Sequence, residues 1–204
     1  MRSPNVARLG LLSLTALTLL AMLSSSQSVY AQPSEARPVA RLVSTSADSS
    51  IPRGIVDVRT PANERTSFPS LDDANSIERR AFAQTNAVRA QHGLQPFVWD
   101  PELCRLARNH SANMARTGLF SHATPEGMRL KERAHAAGIR YQVIAENIAY
   151  NMGYDDPGAF AVERWMISPS HRANILYAGF TSMAVGTFVA ADGSVFLTQT
   201  FITR

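Results

Sequence analysis

Two runs near the C-terminal end, Met183–Ala190 and Ser194–Thr203, alternate at period two on either side of Asp192-Gly193. This is the strongest hairpin signal in the chain, because glycine supplies the positive φ that tight turns between twisted strands require. A hairpin is marginal alone and must lay one face against other elements. What precedes it reads mainly as helices separated by short extended pieces, so the pattern predicts an α+β fold built in layers.

The helices announce themselves by their starts. Ile77, Phe82, Asn86 and Arg89 recur at roughly helical spacing through Ser76–His92, with Gly93 as the stop. After the extended piece Pro96–Trp99, Asp100 and Pro101 form a capping pair, and Leu103, Leu106, Ala107, His110 and Met114 make one broad apolar face. Met128–Ala137 reads as a third helix ending at Gly138. Asp156-Pro157 opens a fourth, with Val162, Trp165 and Met166 on its apolar side and Glu163 beside them. Ser168 then serves as an N-cap and Pro169 as a first helical residue, which puts His171 in the first turn of a short helix. The positive end of that turn disfavours imidazolium, so a neutral His171 able to bind a metal or accept a proton is expected.

The N-terminus has a different character. Arg2 and Arg8 precede the apolar run Leu9–Leu23, and Val29-Tyr30-Ala31 offers a small-residue cleavage point. Residues 1–31 read as a secretory signal peptide, and the mature chain is expected outside the inner membrane, extracellular or periplasmic, without a transmembrane segment. From 32 to 74, Pro, Ser, Ala, Arg and Asp mix without sustained periodicity, as in a flexible linker. The folded domain is placed at 75–204. One cysteine, Cys104, excludes an intrachain disulfide, so an exported fold must hold by packing. The net charge of +4 derives almost wholly from arginine, Lys131 being the sole lysine. With no basic run interleaved with aromatics, nucleic acid is not an expected partner.

Within the domain, Glu146 and the histidines stand out. Glu146 interrupts the apolar run Tyr141–Tyr150, where a carboxylate must either meet a cation, a metal or several donors, or turn to solvent. His122 lies in a loop, Leu119–Gly127, that mixes an aromatic, a histidine and turn residues. His110 sits in an apolar stripe and is read as a core histidine with a local hydrogen bond. His92 and His135 flank glycine-bounded helix ends.

Taken in order, Phe120-Ser-His122, Ala145-Glu-Asn147, Trp165 followed by Ser168-Pro-Ser-His-Arg-Ala-Asn-Ile-Leu176, and Thr198-Gln-Thr-Phe201 resemble the bacterial branch of the CAP superfamily, also called SCP or pathogenesis-related-1-like domains. The resemblance spans roughly Asn75 to the C-terminus and implies a three-layer α-β-α sandwich with a central antiparallel sheet. It also implies a cleft carrying two histidines and acidic residues. By motif, His122 and His171 are the cleft histidines and Glu146 the first acid. Where relatives carry a second acid this chain has Ser168, with Glu163 as a nearby substitute, and Ala145 stands where glycine is common.

Two functions follow as expectations. One is a binding module for an extracellular ligand, such as a lipid or sterol, an envelope component or a protein, with Zn held by His122 and His171. The other is metal-assisted hydrolysis in the same cleft, with Glu146 as ligand or general base and a fourth position on the zinc left for water. No His-Glu-x-x-His helix and no Gly-x-Ser-x-Gly elbow is present, which favours binding.

Overall fold

The computed structural model describes residues 39–48 and 70–204. The expected signal peptide, and the linker apart from 39–48 and 70–74, lie outside the described residues. The elements run β1 (Val39–Asp48), α1 (Ser76–Gln91), β2 (Val98–Trp99), α2 (Pro101–Thr117), α3 (Leu130–Ala136), β3 (Val143–Met152), α4 (Pro157–Ile167), α5 (Pro169–Leu176), β4 (Ser182–Val189) and β5 (Val195–Thr203).

The hairpin of β4 and β5 is the middle of the sheet. Gly193 turns it at a φ of 82°, and Ala190 N–H and Ser194 C=O close the turn at 2.8 Å. β3 pairs antiparallel with β5, and the full order is β1-β3-β5-β4-β2. All pairings are antiparallel except β2 with β4. The ambiguous run around Glu146 is therefore a strand, paired on both sides and buried along most of its length. One stretch departs from expectation. Val39–Asp48, inside the segment read as linker, is a strand pairing with the outer edge of β3. A backbone ladder can hold a sequence of mixed polarity without regular alternation at a sheet edge, and such a strand leaves no periodic signature.

Helices cover both faces, giving the three-layer α-β-α architecture. On one side α1, α4 and α5 bury Ala81, Val88, Val162, Trp165 and Ile175 against Ala145, Ala149, Val185, Leu197 and Phe201 of the sheet. On the other, α2 and α3 set Leu103, Cys104, Leu106, Leu130 and Ala134 against Ile144, Ala184 and Ile202. Cys104 is wholly buried, and burial pushes its thiol up to about 12, so it is a core residue and not a nucleophile. Gly186 permits the close seating of α2 on β4, since a Cβ there would lie 2.1 Å from the Arg108 backbone nitrogen.

Capping follows the sequence closely. Asp100 accepts from the Glu102 and Leu103 amides, Asp156 from Ala159, and Asn75 forms a reciprocal box with Glu78. Ser168 is the exception. Its backbone is extended and Pro169 fills the first helical position, but its hydroxyl makes no cap bond. Residue 168 also ends α4, its N–H donating to the Arg164 carbonyl, so one residue serves two helices with main-chain groups alone.

Candidate functional site

Alternation along β3 points Glu146 and Asn147 to opposite faces of the sheet. Glu146 enters the α2/α3 layer and is completely buried. His122 Nδ1–H donates to its Oε1 at 2.9 Å, and Arg133 Nη2 donates to both carboxylate oxygens at 2.9 Å each. The same guanidinium reaches the His122 carbonyl at 3.3 Å, tying α3 to the histidine loop. His110 Nε2, 3.9 Å from Oε1, donates to the Ser121 carbonyl at 3.0 Å. The local partner expected for His110 is thus present.

Electrostatics favour an ionised Glu146. Burial pushes its pKa upward, but Arg133, the His122 hydrogen bond and nearby His110 outweigh that, and the net shift is downward. For His110 burial wins, lowering its pKa to about 4 despite the attraction of Glu146. His110 is thereby neutral under ordinary conditions. With Nδ1–H directed at the carboxylate, the neutral form of His122 would carry its lone pair on Nε2, an atom that is buried and has no hydrogen-bond partner among the described residues.

Asn147 builds the other side. Its Nδ2 donates to the His171 carbonyl at 3.2 Å and to Gln199 Oε1 at 3.1 Å, while its Oδ1 accepts from Asn174 Nδ2 at 2.9 Å. These bonds dock α5 onto β3 and set the backbone position of His171, which is itself buried. Arg89 secures the far end of α5. Its guanidinium donates to the carbonyls of Gln95, Ile175 and Tyr177 and stacks 3.8 Å over the Phe97 ring. Trp165 Nε1–H, bonded to the Ile148 carbonyl at 3.2 Å, anchors α4 to the same strand.

Of the residues singled out in the sequence, His122 and Glu146 are in direct contact, and His171 is carried to the neighbouring strand position by α5. Glu163 is exposed on α4. Arg133, His110, Asn147 and Asn174 were not singled out as site residues. The Glu-Asn pair and the His-x-x-Asn spacing in Ser168–Leu176 carried a signal for the two asparagines. Arg133 had none, because its partner is distant in sequence and its helix is short.

A model of the Cysteine-rich secretory protein family, CAP, matches residues 82–201. The chain belongs to the CAP family. Among relatives, YkwD of Bacillus subtilis, an uncharacterized protein, is 36% identical over 140 residues, which is 69% of this chain and 51% of that one. The uncharacterized membrane protein YlbC of the same organism is 35% identical over 127 residues, 62% of this chain and 34% of its own. The chain thus spans about half or less of these relatives. A solved extracellular SCP-domain protein from Bacillus anthracis superposes with a TM-score of 0.55 at 30% identity, covering 65% of this chain and 42% of that one. Bacterial CAP domains are therefore its counterparts in sequence and fold. Despite the family's name, this CAP domain has a single cysteine.

Proposed function

We propose that this CAP domain is an exported binding module, with His122 as the recognition group and Glu146 as the residue that positions it. The observation that carries this reading is the double occupation of Glu146. Arg133 takes both oxygens and His122 shares one. A carboxylate so held is poorly suited to activate water or to enter a metal's coordination shell, and it fixes the tautomer of the histidine beside it. Export fits the charged and apolar N-terminal pattern, and no helix among the described residues is long and apolar enough to cross a membrane.

A groove of about 550 Å³ between α2 and α3 adjoins the Glu146 cluster through His110 and Arg133 and mixes polar and charged groups (Arg105, Asn109, Asn113, Arg116) with apolar ones (Leu106, Met128, Ala136, Ala137). Such a lining suits a ligand with both polar and apolar parts.

Zinc enters this reading as an exchangeable ligand. Its holders would be His122, through Nε2, and His171. Among the described residues no group of three or more His, Cys, Asp or Glu side chains is arranged to hold a metal ion, whereas resident zinc sites use three or four protein ligands. Calorimetric titration of the full chain with zinc is expected to give weak binding that is lost in His122→Ala and His171→Ala and retained in Glu146→Gln. Loss in Glu146→Gln alone would make the carboxylate a ligand and overturn the assignment.

One observation favours the hydrolytic alternative. His122, with Nδ1 clamped and Nε2 bare, has the arrangement of a general base. Turnover in peptide and ester panels that disappears in His122→Ala would establish it, and turnover indifferent to that substitution would remove it.

A further inference from the structure

β1 lies across the functional residues. Its register sets Thr45 opposite Glu146 and Ser44 opposite Asn147, the adjacent pair that joins β3 to the layers carrying His122 and His171. Toward one layer, the Arg41 guanidinium sits 5.2 Å over the ring of Phe120, two residues before His122. Toward the other, β1 packs against α5. The strand therefore touches both walls of the candidate site while its backbone closes the edge between them.

Without β1, the outer edge of β3 would present unpaired amides and carbonyls in a strand already buried on its faces, a template for any extended chain. The ladder is continuous from Val39 to Thr45 and slips between Thr45 and Asp48. The weaker end is thus the one next to residues 49–69, where displacement would begin. A strand tethered in the same chain competes at high local concentration and masks the edge from free partners.

We propose that the outer edge of β3 is an acceptor for an extended polypeptide strand, and that Val39–Asp48 fills it in cis and keeps the site closed until a partner strand displaces it. Main-chain hydrogen bonds supply the affinity, with groups around His122 and α5 reading alternate side chains of the incoming strand. This rests on the cleft being a binding site and names its partner as polypeptide.

The test uses the full chain and a fluorescent peptide with the sequence of Val39–Asp48. Successive residues of an antiparallel strand alternate in bonding a given neighbour, so Leu42→Pro and Val43→Pro together ensure that one variant loses a ladder amide. In that variant the peptide is expected to bind at least about tenfold more tightly than to the parent chain, because the tethered competitor is weakened. Amides of Ile144–Ala149 should also exchange faster and regain protection on adding peptide. Equal affinity in the parent and both variants, or no binding in either variant while both unfold like the parent, would overturn the proposal. Should both proline variants fail to fold, Val39→Cys with Met152→Cys, a cross-strand pair, provides a reversible lock. The oxidised form should exclude the peptide and the reduced form admit it, and identical behaviour in both redox states would overturn it equally. Peptide failure with zinc binding that still depends on His122 and His171 would count against the strand acceptor and leave the binding-module reading standing.

Discussion

At the scale of single residues, the site turns on a buried carboxylate that has found a cation. Removing the cation should be more damaging than removing the charge. Arg133→Met would strand an ionised Glu146 in the interior and is expected to cost about 3–5 kcal/mol, whereas the pair itself contributes much less. Urea unfolding of Arg133→Met beside the double variant Arg133→Met/Glu146→Gln measures this, the double variant being the more stable of the two. Acid should act on the same cluster. His110 has a folded pKa of about 4 against about 6.5 in an unfolded chain, so between those values the unfolded state binds the extra proton and stability falls as pH falls. Glu146, with its folded pKa lowered, keeps its contribution above the unfolded value and adds a further loss at lower pH. Denaturant midpoints at pH 7, 5.5 and 4.5 should decline steadily, and His110→Gln should flatten the upper part of that decline.

At the scale of elements, α5 is the helix held with the least apolar burial of its own. Its contribution to the buried apolar cluster is Ile175, with Leu176 packed partly against it, and polar bonds do much of the docking. Asn174→Ala would leave the buried Oδ1 of Asn147 without its 2.9 Å donor, a loss of about 1–3 kcal/mol. Amide exchange across Pro169–Leu176 should rise in that variant while α2 stays protected. Elements were also where the sequence was most legible. Asp100-Pro101 and Asp156-Pro157 marked helix starts through local chemistry, and Asp192-Gly193 marked the hairpin. Ser168-Pro169 marked a start correctly although the serine hydroxyl does not cap, because proline alone fixes the backbone there. β1 was illegible, since an edge strand held by main-chain bonds needs no apolar alternation. Arg133 was illegible for a related reason: a buried ion pair between α3 and β3 is a product of the tertiary fold. Glu146 could be read only as far as its problem, a charge in an apolar run. Its solution lies in residues that the fold, and not the local sequence, brings near.

At the scale of the whole molecule, the sheet divides the candidate site between two layers. Glu146 looks into one, Asn147 docks α5 from the other, and β1 bridges them at the edge of β3. The binding reading, and the withdrawal of Glu146 as a base, both depend on the carboxylate acting as the partner that orients His122. The nitrogen NMR spectrum of the histidine rings in the full-length chain at pH 8 reports this directly. His122 should carry its proton on Nδ1 with Nε2 bare, and Glu146→Ala should relax it toward a mixture of tautomers. A proton found on Nε2 in the unaltered chain, or a spectrum indifferent to the loss of Glu146, would contradict the account.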